Sequence, residues 1–93
     1  MPKLTDEQIS RELGSLPGWE YDGSRLHKEF KFKGFKSAIA FIVRIAFEAE
    51  AAKHHPDLEN HYNKVIVALR TWDEDGVTQN DVALAGAIEK AAG

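Results

Sequence analysis

Residues 26–50 read LHKEFKFKGFKSAIAFIVRIAFEAE, and their hydrophobic period changes once, at Gly34. Before that glycine, Leu26, Lys28, Phe30 and Phe32 alternate with His27, Glu29, Lys31 and Lys33, which assigns the two sets to opposite faces of a β-strand. After it, Phe35, Ala38, Ile39, Ile42, Ile45, Ala46 and Ala49 recur at spacings of three or four, the apolar stripe of an α-helix. Phe41, Val43 and Phe47 fall off the middle of the stripe and widen it, so the helix is expected to cover a sheet and also to meet a second element or subunit. Lys28 does not suit the dry strand face; its stem is expected to run out to water near a sheet edge. Pro56 cannot extend the helical hydrogen-bond ladder and disfavours helical geometry at His55, which predicts a helix end near Lys53 or His54.

Working outward, Thr5 and Gln8 have capping-box spacing ahead of a short helix that buries Ile9 and Leu13 and stops at Gly14. Pro17-Gly18 makes a turn, Trp19 and Tyr21 alternate with polar residues, and Asp22-Gly23 is a hairpin signal joining the first two strands. Beyond Pro56, Leu58, Asn60 and Tyr62 alternate with Glu59 and His61. Asn63-Lys64 then leads into a second strand over Val65 to Thr71, apolar on both faces at its centre. Asp73 to Gly76 is a turn, and Thr78 caps a last helix carrying Val82, Ala85 and Ile88, with Asp81 at its third position. The order is α-β-β-α-β-β-α, an α+β class: a four-stranded antiparallel sheet with three helices packed on one face, one domain over residues 1–93.

Composition narrows the function. With 12 basic against 15 acidic residues the formal charge is -3, which gives no electrostatic excess for a phosphate backbone, so nucleic acid is not an expected partner. The lysine and phenylalanine interleaving of residues 28–33 would make a nucleic-acid platform only if Phe30 and Phe32 were exposed, and a dry sheet face requires them buried. The absence of cysteine rules out disulfides and thiolate chemistry. Neither a signal-peptide pattern nor an apolar run of about 20 residues is present, so no membrane association and a cytoplasmic location are expected.

The candidate chemistry lies at Glu-Ala-Ala-Lys-His-His-Pro, residues 50–56. Two imidazoles at a helix end can donate and accept protons near neutral pH, and Glu50, four residues before His54, is expected to pair with it if helical geometry reaches His54, while His55 points elsewhere. The bland alternative is that both histidines merely complement the helix C-terminus. A metal site recruiting His54, His55, Asp57, Glu59 and His61 lacks a recognisable ligand spacing, so no metal is expected. Trp72, at the end of the best strand, either closes a ligand pocket or covers the sheet end, and Tyr62 anchors the strand turn.

Taken together, Glu50-x3-His54-His55-Pro56-x5-Tyr62-x9-Trp72-x8-Asp81 resembles the signature of the pterin-4a-carbinolamine dehydratase family. Gly18-Trp19, Phe30-Lys31-Phe32, Tyr62-Asn63-Lys64-Val65 and Asp81-Val82-Ala83-Leu84-Ala85 extend the likeness over nearly the whole chain. The resemblance implies dehydration of 4a-hydroxytetrahydropterin to quinonoid dihydropterin in support of pterin-dependent aromatic hydroxylation, with no metal or nicotinamide cofactor. It assigns the active site to His54 and His55, with Glu50 and Trp72 at the substrate and Tyr62 and Asp81 as supports. Many members of the family carry a third histidine where this chain has Trp72, and an indole cannot exchange a proton as imidazole does, so acid-base work falls on His54 and His55. Homodimers or homotetramers are implied as well, with the edge of the second strand pair, Phe41 and Phe47 as contacts. The rival implication is a non-catalytic interaction or assembly protein of the same fold.

Overall fold

In the computed structural model, which describes residues 2–93, the chain runs α1 (Asp6–Leu13), β1 (Glu20–Tyr21), β2 (Leu26–Lys31), α2 (Phe35–Ala52), β3 (Asp57–His61), β4 (Lys64–Leu69), a single 3-10 turn (Trp72–Glu74) and α3 (Gln79–Ala92). The four strands are antiparallel in the order β1-β2-β4-β3, with the three helices on one face, as the periodicities predict. Local signals fix the ends of these elements. Thr5 Oγ1 accepts from the Gln8 amide while Gln8 Oε1 accepts from the Thr5 amide, closing the capping box of α1. Asp22 Oδ1 accepts from the amides of Ser24 and Arg25 at 2.8 and 2.7 Å, and Gly23 takes a left-handed φ of 93°, so the β1–β2 hairpin is built by its turn residues.

Register then decides what is buried. Leu26 faces Leu69 and Phe30 faces Val65 across the central β2–β4 pair, and Val65, Val67 and Leu69 are all sealed beneath the helices. Ile66 and Ala68 lie on the opposite, open face of the sheet, beside Glu29 and His27. Among the described residues no helix is long and apolar enough to cross a membrane.

Two sequence expectations are corrected. Phe41 is fully buried and, with Ala38, Ile45 and Ala49, forms the inward stripe of α2, whereas Phe35, Val43, Ala46 and Phe47 face outward. Phe41 packs between Phe30 and Phe32 at ring-centroid distances of 4.8 and 4.9 Å, so it belongs to the core and not to an external contact. Lys28 does not run to water at an edge, because β2 is an inner strand. Its ammonium lies 4.7 Å from the Phe30 ring centroid, donates to Pro17 O at 2.8 Å and pairs with the Glu89 carboxylate of α3, which also accepts from Trp19 Nε1 at 2.8 Å. That knot ties the β1–β2 hairpin to the last helix. Gly18 suits the same corner: its φ of 84° favours glycine, and a Cβ there would lie 2.9 Å from Lys28 Cε and push the lysine stem out of the knot.

Candidate active site

Helix α2 stops at Ala52 because Lys53 turns into the left-handed region at φ 53°. The Lys53 amide donates to Glu50 O at 3.2 Å and the His54 amide to Ala49 O at 3.1 Å, the paired bonds of a Schellman closure in which the left-handed residue is usually glycine. This closure reverses the chain before His54. Helical geometry therefore does not reach His54, and the expected Glu50–His54 pair does not form. Glu50 instead receives His55 Nε2.

His54 swings back toward α3, where its Nε2 meets Asp81 Oδ1. Asp81 is completely buried and fully engaged: Oδ2 accepts from the Thr78 amide at 2.9 Å and from the Thr71 hydroxyl at 2.8 Å. The first of those bonds is half of the α3 capping box. One carboxylate thus closes the start of α3, ties down the end of β4 through Thr71 and orients an imidazole that is itself only 14% exposed. Three segments distant in sequence meet at a single side chain.

The two histidines consequently sit in different surroundings. His54 is held by a buried carboxylate, whereas His55 is 66% exposed and its partner Glu50 is on the surface. The chemistry at the ring nitrogens is nonetheless the same. A carboxylate beside Nε2 selects the tautomer that carries its proton there, which leaves the Nδ1 lone pair of the neutral ring free to accept a proton.

Both rings line a concavity of about 360 Å³ together with Pro56, Thr71 and Trp72, a volume in the range of small-molecule sites. Trp72, the first residue of the 3-10 turn, is largely exposed to this space. Arg70 and Thr71 also line it; neither was singled out from the sequence, since their roles depend on partners at Ser24, Thr78 and Asp81 that only folding brings near. Tyr62 lies elsewhere. It takes a left-handed φ of 54° in the β3–β4 turn, at the far end of β3 from the histidines, and does not line the concavity. His61 pairs with Glu59 at 3.3 Å on the exposed surface, so those two members of the metal reading stand apart from the concavity that His54, His55 and Asp57 line.

A family model described as pterin 4 alpha carbinolamine dehydratase matches residues 2–91. The chain belongs to this family. A provisionally named pterin-4-alpha-carbinolamine dehydratase of Chloroflexus aurantiacus is 42% identical over 93 residues, covering all of both chains. A similarly named dehydratase-family protein of Christiangramia forsetii is 46% identical over 89 residues, 96% of this chain and 92% of its own. Among solved structures, a transcriptional coactivator/pterin dehydratase from Brucella melitensis superimposes with a TM-score of 0.93 at 39% identity, covering 98% of this chain and 99% of that one. A pterin dehydratase-like RuBisCO assembly factor of the alpha-carboxysome, at 21% identity and TM-score 0.67 over 81% of this chain and 87% of its own, shares the fold alone.

Proposed function

We propose that this dehydratase-family chain is a lyase that removes water from 4a-hydroxytetrahydropterin to give the quinonoid dihydropterin, with His54 and His55 as the acid-base pair. The observation that carries the reading is the placement of two imidazoles, each with a carboxylate on Nε2, at the rim of one concavity walled by Trp72. In the reaction the C4a–O bond breaks and the hydroxyl leaves as water, while a ring nitrogen gives up its proton and its electron pair forms the new C=N bond. His55 in its protonated form gives the proton to the departing oxygen; its exposure lets water recharge it between turnovers. His54, fixed by Asp81, binds the pterin and accepts the nitrogen proton at Nδ1. Glu50 holds His55, Asp81 holds His54, Trp72 receives the pterin ring system, and Tyr62 serves the β3–β4 turn.

The test is to follow decay of freshly made 4a-hydroxytetrahydropterin with wild-type protein and with a folded His54→Ala, His55→Ala double variant. Acceleration by the wild type alone supports the mechanism. Absence of acceleration by the wild type sinks the enzymatic reading, and retained acceleration by the double variant sinks the assignment of the two histidines.

We also propose a homo-oligomer, a dimer or tetramer. Phe35, Val43 and Phe47 expose a second apolar stripe along α2, contiguous with Ile42 and Ala46, and β3 leaves an unpaired sheet edge. A Phe47→Glu variant sedimenting at a lower mass than wild type supports this role for the stripe; an unchanged mass counts against it.

A further inference from the structure

Arg70, the residue after β4, carries a permanent charge yet its side chain is only 12% exposed. Its guanidinium lies 4.4 Å from the Trp72 ring centroid, Nη1 donates to Ser24 Oγ at 3.1 Å, and Nη2 pairs with the Asp75 carboxylate. Its Nε–H is buried with no acceptor among the described residues. Taking a guanidinium out of water with one donor unsatisfied is unfavourable in itself. What the arrangement gains is Trp72. That indole is 67% exposed, and an unanchored aromatic at such a position samples several rotamers. A guanidinium lying against the ring, itself gripped from the β1–β2 hairpin and from the turn after the 3-10 helix, removes that freedom.

We infer that Arg70 is a positioning residue for the substrate: it clamps the Trp72 indole as a fixed wall of the histidine concavity, so that the pterin ring system is received in one orientation toward His54 and His55. The inference rests on the dehydratase reading. Arg70 acts through Trp72 and touches no reacting atom, so its effect belongs to binding and not to proton transfer.

The test combines kinetics with a probe of the indole. Arg70→Met keeps the stem without charge or plane, and Asp75→Asn weakens one grip on the guanidinium by removing its charge, at an exposed residue whose left-handed φ asparagine tolerates. Expected for Arg70→Met is a KM for 4a-hydroxytetrahydropterin raised about 5- to 20-fold, with kcat within about twofold and an unchanged pH profile. Asp75→Asn moves KM in the same direction by about two- to threefold and carries the test should Arg70→Met fail to fold. In a Trp72→Ala background Arg70→Met adds less than a twofold change, and in a Trp19→Phe background it loosens Trp72 in time-resolved fluorescence anisotropy. An unchanged KM, an equal KM effect without Trp72, or an indole that stays immobile after Arg70→Met overturns the inference while leaving the dehydratase reading intact. A wild type that does not accelerate dehydration sinks that reading, and the substrate role of Arg70 with it, even where anisotropy still shows the clamp.

Discussion

His54 and His55 are neighbours in sequence with carboxylates on the same ring nitrogen, yet one pair is sealed and the other is wet. Asp81 is fully buried and shared among His54, Thr71 and the Thr78 amide, whereas Glu50 and His55 meet on the surface. The difference follows from one backbone event, the left-handed turn at Lys53 that sends His54 inward and leaves His55 beside the last turn of α2. Burial makes the first pair a part of the fold. An exposed pair contributes about 0.2–1 kcal/mol at most, so the second is free to serve chemistry without holding the structure together.

The largest effect is therefore expected at Asp81. Asp81→Ala removes half of the α3 capping box, the partner of His54 and one partner of Thr71 at once, costing about 2–4 kcal/mol of stability. That lowers Tm by on the order of 10 °C or more for a domain of this size. Turnover should fall at least about 100-fold at temperatures where the variant stays folded. Calorimetry and the pterin decay assay check both halves. A variant that loses activity but no stability would show that Asp81 is not the shared hub.

His55→Ala comes next, with a loss of about 10²- to 10⁴-fold in kcat, as for other acid-base residues, and a Tm within a few degrees of wild type. Glu50→Gln should cost much less, a few-fold in turnover and under about 0.5 kcal/mol in stability, because its partner keeps a neutral acceptor in reach of water. Equal losses in kcat for Glu50→Gln and Asp81→Asn would remove the distinction between the two pairs.

Much of this was legible in the sequence, and the failures share a cause. The period change at Gly34, the Asp22-Gly23 turn and the Thr78-Asp81 capping spacing are local signals, and each marks the element it should. The inward face of α2 is another matter. A helix apolar nearly all round offers two stripes, and only the sheet beneath decides that Phe41 goes in and Phe47 stays out. Pro56 places the helix end near Lys53 or His54, and the Glu50–His54 pairing assumed the later of the two; a lysine in a position usually taken by glycine does not mark the left-handed turn that ends the helix first. Lys28 with Glu89, and Arg70 with Ser24, join residues far apart in sequence, where periodicity carries no information.

A third carboxylate calibrates the other two, and gives the smallest effect. Asp22 is exposed like Glu50, but its partners are backbone amides. Hydrogen bonds from the Arg25 amide first, and also from the Ser24 amide, hold its carboxyl below the ordinary 3.8 against an opposing desolvation effect. A depressed value in the folded state means a contribution to stability that is complete above the unfolded pKa of about 3.9 and is lost as pH falls through the folded value. Asp22→Asn keeps the turn geometry but not the charge, so its deficit relative to wild type should be steady above about pH 5 and shrink steadily below pH 4. Urea unfolding at a series of pH values reads this directly. A deficit that persists undiminished in acid would mean that the turn depends on the shape of the side chain and not on its ionisation, and that exposed carboxylates in this fold act through geometry alone.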